Sequence, residues 1–287
     1  MRGVEPVLFD RPGPRGRRRI VVATVLAALA LAALLLLAVR QFAVHGQLAA
    51  DKWQPFTQWP ILSFLLNGLK YTILVTLLCT VISMPAGAAI ALGRLSKRRW
   101  VSWPAVAFTE IFRSLPTMLL ILVFLLALPP VGINLPTIWK LAVPICLTGS
   151  ATIAEVFRAG ILALPRGQTE AAYAIGMRYG QAMRLVVLPQ VIRPLLPLLL
   201  VQLINLLKDS TLGYVVTYSE LLYSGKILGE YVHAPIQTYL VVAAMYMIVN
   251  WLITRLAHLI ERRQGRLPRF RTRQVDDTAA VTAAAAE

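Results

Sequence analysis

Six apolar runs, at residues 20–39, 61–92, 104–128, 138–164, 192–216 and 236–259, leave this chain few ways to fold. An α-helix needs about 20 apolar residues to cross a bilayer core, and each run meets that length. The expected fold is all-α: a polytopic helical membrane protein with six spans. The second run is longer than one crossing requires and is expected to begin with an interfacial turn. With 57% hydrophobic and 15% charged residues, the composition lies outside that of a soluble domain. The net charge of +16 does not point to nucleic acid. Basic residues of a nucleic-acid binder gather on one solvated face, whereas these punctuate the apolar runs.

The first run follows RPGPRGRRR and resembles a signal peptide in its charge, but a signal's apolar region holds about 7–15 residues. No clean small-residue cleavage site follows it. It reads as a retained anchor, residues 20–40, behind a basic N-terminal stretch, residues 1–19. Orientation comes from Lys and Arg in the connections. With a cytoplasmic N-terminus, the segments 1–19, 93–103, the inner end of span four through Arg193, and 255–287 hold 6, 4, 5 and 7 basic residues. The outer side keeps six, Arg40, Lys52, Lys70, Lys140, Lys208 and Lys226, so both termini are expected inside. The outer connections PPVGINLPT and TYSELLYSGKILGEYVHAP are too short for a folded outer domain. The basic C-terminal stretch 261–287 ends DDTAAVTAAAAE, has too little to bury, and is expected to be disordered. Cys79 and Cys146 lie inside apolar runs and read as packing residues. His45, His233 and His258 have no metal-ligand spacing, so no metal site is expected.

Between spans four and five lies the polar stretch EAAYAIGMRYGQAMRLVVLPQ. Pro165 and Gly167 are expected to end span four, and Thr169 to cap a short helix with Glu170 in its first turn. Ala171 and Ala172 carry almost no side chain, so another body can approach them. Gly176 and Gly180 bracket an expected bend, and Gln181 to Val187 a second short helix, before Leu188-Pro189 redirects the chain. Ala172, Ile175, Tyr179 and Met183 follow helical spacing, with Arg178 and Arg184 free to meet an acidic rim. The result is a compact knob on the cytoplasmic side.

Glu170, Ala171, Ala172, Gly176, Val186, Leu188 and Pro189 match in register the EAA loop of ABC importer permeases, and the chain resembles that family. The resemblance runs from about residue 67 to 261, through NGLKYTILVTLLCTVISMPAGAAIALGRLS, TEIFRSLPTMLLILVF, ATIAEVFRAGILALPRGQ and LINLLKDSTLGYVVTYSELL. These stretches are similar to the polar amino-acid uptake subfamily, and within it to glutamate-type permeases. The resemblance implies a type I ABC importer transmembrane domain over residues 61–260, with five core spans. It also implies an EAA coupling loop at 165–190 that docks on an ATP-binding subunit dimer. A second permease subunit, the same or different, and an extracytoplasmic binding protein are the other implied partners besides membrane lipid. The anchor at 20–39 and the long basic C-terminus depart from the family pattern.

Ionisable residues inside spans are functional candidates, because burying them in lipid is costly. Glu110-Ile-Phe-Arg113 and Glu155-Val-Phe-Arg158 repeat one pattern, placing each Glu and Arg three apart on a helix face. Two roles are open for them: self-neutralising local pairs, or a gate lining the lower path of a charged substrate. In span five, Gln202, Asn205, Lys208 and Asp209 recur at three- and four-residue steps and form a polar stripe. That stripe either lines a substrate cavity, with Lys208 a point charge for a carboxylate, or makes an inter-helix network or a Lys-Asp pair. No Gly-x-x-x-x-Gly-Lys-[Ser/Thr] phosphate loop occurs, so the chain is not expected to be an ATPase. It is expected to bind no cofactor of its own, with ATP and Mg on the partner. The competing reading is a secondary transporter or channel subunit needing no ATPase.

Overall fold

The computed structural model describes residues 13–264. The stretch before Gly13 and most of the tail expected to be disordered lie outside the described residues; residues 261–264 continue the last helix. Among the described residues every regular element is a helix.

Helix α1 (Pro14–Val44) opens on Arg15, Arg17, Arg18 and Arg19 and is largely apolar from Ile20 to Val39, and no described side chain on it is buried. The interfacial turn expected inside the second run is supplied ahead of it, by α2 (Ala50–Trp53) and a 3-10 turn at Gln54–Thr57. Helix α3 (Trp59–Arg94) then runs unbroken for 36 residues, past an internal Pro85. Three threonines on α3 satisfy their hydroxyls locally: Thr72, Thr76 and Thr80 donate to the carbonyls of Gly68, Thr72 and Thr76. Such back-bonding lets a hydroxyl sit in a dry helix without an outside partner.

The main core lies between α3 and α6 (Thr137–Leu162), where Val75 and Cys79 meet Leu141, Ala142, Ile145 and Cys146. Both cysteines are free and buried, as expected of packing residues. Without a hydrophobic driving force between helices in lipid, close approach at small residues carries the association. Gly87 is such a point, since a Cβ there would come within 2.6 Å of Ile153 Cγ2 and 3.0 Å of the Ser150 carbonyl oxygen. Gly87→Val is therefore expected to lower the stability of the purified protein by about 2 kcal/mol through overpacking. An unshifted thermal transition in detergent would show that the α3–α6 contact can yield.

The third run is not one straight span. Helix α4 (Arg99–Ser114) and α5 (Thr117–Leu122), which a π turn extends through Ala127, meet at 95°. Pro116 disfavours helical conformation at the residue before it, and Leu115 is extended, at φ −85° and ψ 130°. The run's apolarity predicted a crossing, but its proline decided where the axis breaks. Among the described residues five helices are long and apolar enough to cross a membrane, or six if this bent pair counts as one span.

Past α6, helices α7 (Arg166–Ala174) and α8 (Tyr179–Ala182) build the knob. The expected redirection at Leu188-Pro189 does not occur. A π turn at Met183–Val187 joins α8 to α9 (Leu188–Ser210), and Tyr179–Tyr214 forms one continuous helix of 36 residues. Pro189 follows directly on that π turn, inside the continuous helix.

The segment read as an outer connection folds into the bundle. Helix α10 (Leu221–Tyr231) buries Leu221, Ser224, Gly225, Leu228 and Gly229 against α3 and the last helix, α11 (Pro235–Gln264). Its N-terminus is held by Glu220, a fully buried carboxylate that accepts from the backbone N–H groups of Leu222 and Tyr223 and from the Tyr246 hydroxyl. The Leu221 N–H goes to Thr72 Oγ1 at 3.0 Å. These partners satisfy helix-end donors that water cannot reach, which allows a polar stretch to stay inside.

Candidate functional site

The knob begins earlier than its sequence suggests. Pro165, not Thr169, occupies the position before α7, so Thr169 and Glu170 fall inside that helix, beyond its first turn. Gly176, at φ +81°, ends it. The Gly176 N–H donates to the Tyr173 carbonyl at 2.9 Å and the Met177 N–H to the Ala172 carbonyl at 3.1 Å. This is the paired closure of a helix whose following residue is left-handed, a conformation glycine adopts without strain. Gly180 lies in α8 and makes no bend. Gln190 Nε2 donates to Gln168 Oε1 at 3.1 Å, tying α7 to the start of α9.

The four apolar positions at helical spacing divide. Ala172 and Met183 turn inward together with Ala182, whereas Ile175 is 74% exposed and Tyr179 is also open. Glu170, Ala171, Tyr173 and Ala174 share the exposed surface. A rigid body with an outward apolar patch is suited to docking.

Above the knob the intramembrane charges form a network rather than two local pairs. Arg158 does pair with Glu155 on its own helix, Nε donating to both carboxylate oxygens at 3.1 Å. Glu110, however, meets Arg94 Nη2 at 3.2 Å instead of Arg113. Arg94 also donates from Nη1 to Glu155 Oε2 at 2.8 Å, so one side chain joins α3, α4 and α6. Arg113 stands 3.9 Å from Glu155 Oε2. In the sequence Arg94 counts only as one of four basic residues in a connection. Its place in the last turn of a long apolar helix was the available signal.

The polar stripe of α9 opens on a cavity of about 150 Å³, lined by Gln202, Asn205 and Asp209. Thr117 of α5 faces them with Thr148 and Thr152 of α6, and Arg113 closes one side. Asn205 Nδ2 donates to Gln202 Oε1 at 3.3 Å, and Thr117 Oγ1 to Thr148 Oγ1 at 3.3 Å. Lys208 is exposed, lies outside this lining, and makes no side-chain hydrogen bond or ion pair among the described residues. The three threonines escaped the sequence reading, although Thr148 and Thr152 lie one turn apart on a face that otherwise packs. A second cavity, of about 460 Å³, includes Glu155, Gly160 and Leu195, and shares Arg113 and Thr152 with the first. Among the described residues no three His, Cys, Asp or Glu side chains gather to hold a metal.

Comparison with known proteins decides to which family the knob, the charge network and the cavity belong. Residues 83–266 match the family described as the binding-protein-dependent transport system inner membrane component. The chain belongs to that family. Its relatives include the glutamate transport system permease protein of Corynebacterium glutamicum, 35% identical over 77% of this chain and 84% of that protein. The glutamate/aspartate import permease protein of Escherichia coli O157:H7 is 32% identical over 71% of this chain and 95% of its own length. Among solved structures, the crystal structure of an amino acid ABC transporter with histidines aligns with a TM-score of 0.66 and 31% identity, over 70% of this chain and 94% of that one. A methionine ABC transporter in inward facing conformations shares the fold at a TM-score of 0.61 and 23% identity, over 72% and 98%. The resemblance to importer permeases is thus borne out, and the chain is a multi-pass inner-membrane protein of that fold. The family match begins within α3 and leaves α1 outside it.

Proposed function

We propose that this chain is a permease subunit of an ATP-driven importer for a polar amino acid, glutamate or a close relative. It forms half of the translocation path, and a second permease, identical or different, completes it. The knob, with Glu170, Ala171, Ala172, Gly176, Gly180, Leu188 and Pro189, docks on an ATPase dimer that holds ATP and Mg. An extracytoplasmic binding protein delivers the substrate to the opposite end. Both termini and the knob lie in the cytoplasm, in keeping with the distribution of Lys and Arg.

The observation that carries this reading is the unbroken helix Tyr179–Tyr214. Its first turns belong to the knob, and its later turns present Gln202, Asn205 and Asp209 to the cavity. A push delivered at Tyr179 therefore reaches the cavity wall along one helix, whereas a push at Ile175 must first cross the closed turn at Gly176. ATP binding by the partner favours one arrangement of the spans over the other, and the cavity alternates between the two sides. Relatives that import glutamate or aspartate support the substrate class.

The test is uptake of L-glutamate into proteoliposomes holding the permease, its neighbouring ATPase and its binding protein. Uptake is expected to require ATP and all three components. Uptake that persists without the ATPase would make the chain a secondary transporter or channel subunit and sink the proposal.

A further inference from the structure

We propose that Arg113 is the residue that receives the substrate's α-carboxylate and passes it from the upper cavity to the lower one; this rests on the transport reading above. Arg113 lines both cavities. It occupies the last turn of α4, two residues before the Leu115-Pro116 break at which α4 and α5 turn through 95°. A change in that angle in which α4 swings moves its guanidinium relative to α6. A side chain at a hinge and between two cavities is placed to act as a gate.

Its electrostatics fit the role. Three arginines face Glu155, and the carboxylate is already engaged on both oxygens by Arg94 and Arg158. Arg113, at 3.9 Å, is beyond hydrogen-bonding distance and remains 43% exposed. It is a guanidinium held in place by charge without its donors being used up. A planar guanidinium binds a carboxylate through two parallel N–H donors, and it does so better where water is scarce.

Asp209 decides which carboxylate is meant. It lines the same small cavity as Arg113. An amino acid carries its ammonium and its α-carboxylate on a single carbon, so an anion and a cation on the walls of one cavity match that head group. A side-chain carboxylate lies further from the ammonium and would not bring both groups to these walls together. Closing of the α4–α5 angle then draws Arg113, with the carboxylate on it, toward the lower cavity. There Glu155 competes for the guanidinium, which promotes release.

The test uses the permease–ATPase complex in nanodiscs, without the binding protein, so that only the path discriminates. Three probes are compared by equilibrium binding: L-glutamate, its γ-amide L-glutamine, and its α-amide L-isoglutamine. Wild type is expected to bind L-isoglutamine about 30-fold more weakly than L-glutamate, since the site's charged donor is left unpaired. Arg113→Gln is expected to shrink that ratio to about threefold or less. Arg113→Lys keeps the charge without the fork and is expected to fall between them. In the complete proteoliposome system Arg113→Gln is expected to reduce uptake about tenfold or more, while ATP hydrolysis stimulated by the binding protein persists. A merely structural role would lower both together.

The proposal is overturned if Arg113→Gln retains the wild-type ratio, if the loss follows the γ-amide instead of the α-amide, or if wild type binds none of the three probes. Wild-type uptake that needs no ATPase would overturn the transport reading instead, and the binding ratios would still decide the role of Arg113.

Discussion

Gly176→Val is expected to abolish ATP-driven uptake, by about a hundredfold or more, while leaving the thermal transition of the span bundle nearly unchanged. Gly176 has φ +81° and lies on the surface, where a built Cβ meets nothing within 4 Å. The substitution therefore creates no clash with a neighbour, and its effect is confined to the backbone. A β-branched residue is strained in the left-handed region by roughly 1–2 kcal/mol. That is enough to open the two closing hydrogen bonds, from Gly176 to Tyr173 and from Met177 to Ala172.

Once those bonds open, α7 no longer holds a fixed angle to α8, and Ile175 leaves the patch it shares with Tyr179. Misplacing a positioned group by about 1 Å can cost a hundredfold in rate, and a docking surface that drives a motion is subject to the same geometry. Gly176→Asn is the informative companion, because asparagine tolerates the left-handed conformation and should retain most of the uptake. Uptake and co-purification of the ATPase are measured at matched membrane levels. Wild-type uptake by the valine variant would mean that the knob does not transmit force.

Arg94→Ala is expected to lower the stability of the purified protein by about 3 kcal/mol, the usual range for removing one partner of a buried ion pair. Its two arms do not contribute equally. The Glu110 side chain is 62% exposed, so that bridge behaves as a surface pair worth about 1 kcal/mol or less. The larger share falls on Glu155, which is 24% exposed and accepts from Arg94 at 2.8 Å. Arg94 itself is 11% exposed, and its Nε is buried without a partner, so the side chain already bears an unmet desolvation cost.

A lysine offers one ammonium where Arg94 uses two separate nitrogens on two glutamates, so Arg94→Lys should recover only part of the loss. Thermal unfolding in detergent measures both variants. A double-mutant cycle with Glu155→Gln should show losses well short of additive, because both substitutions remove the same contact. Full additivity would assign the stabilisation to packing of the arginine stem and remove the ion pair from the explanation.

Several features were legible because they depend on neighbours in sequence. Apolar length set the spans, and five of the six runs became helices, although the one expected at 192–216 begins at Tyr179 and the first extends from Pro14 to Val44. Chain spacing was also enough for the knob's closing glycine, since a helix end is a local event governed by φ at one residue. The same holds for the Glu155–Arg158 pair, three residues apart on one turn. Where local rules compete, neighbours in sequence mislead: Thr169 is a good cap by composition, but α7 has already begun at Arg166, behind Pro165. Gly180 and Leu188-Pro189 are breakers by composition, yet the π turn at Met183–Val187 lets the helix continue through them.

The order of residues along the chain was enough to show that it spans a membrane in helices, that it presents a polar knob between the fourth and fifth runs, and that polar residues recur along one face of α9. The packing of the helices was needed to bring Arg94 across 61 residues to Glu155, to give Glu110 Arg94 in place of Arg113, and to take α10 into the bundle on a buried Glu220. It also separated Lys208 from Asn205 and Asp209. The reason is physical: apolarity and helical period are properties of a segment, whereas the partner of a charge depends on which helix faces it. In a membrane an unpaired charge is too costly to leave to chance, so the packing of the whole bundle selects among pairings that a sequence allows equally.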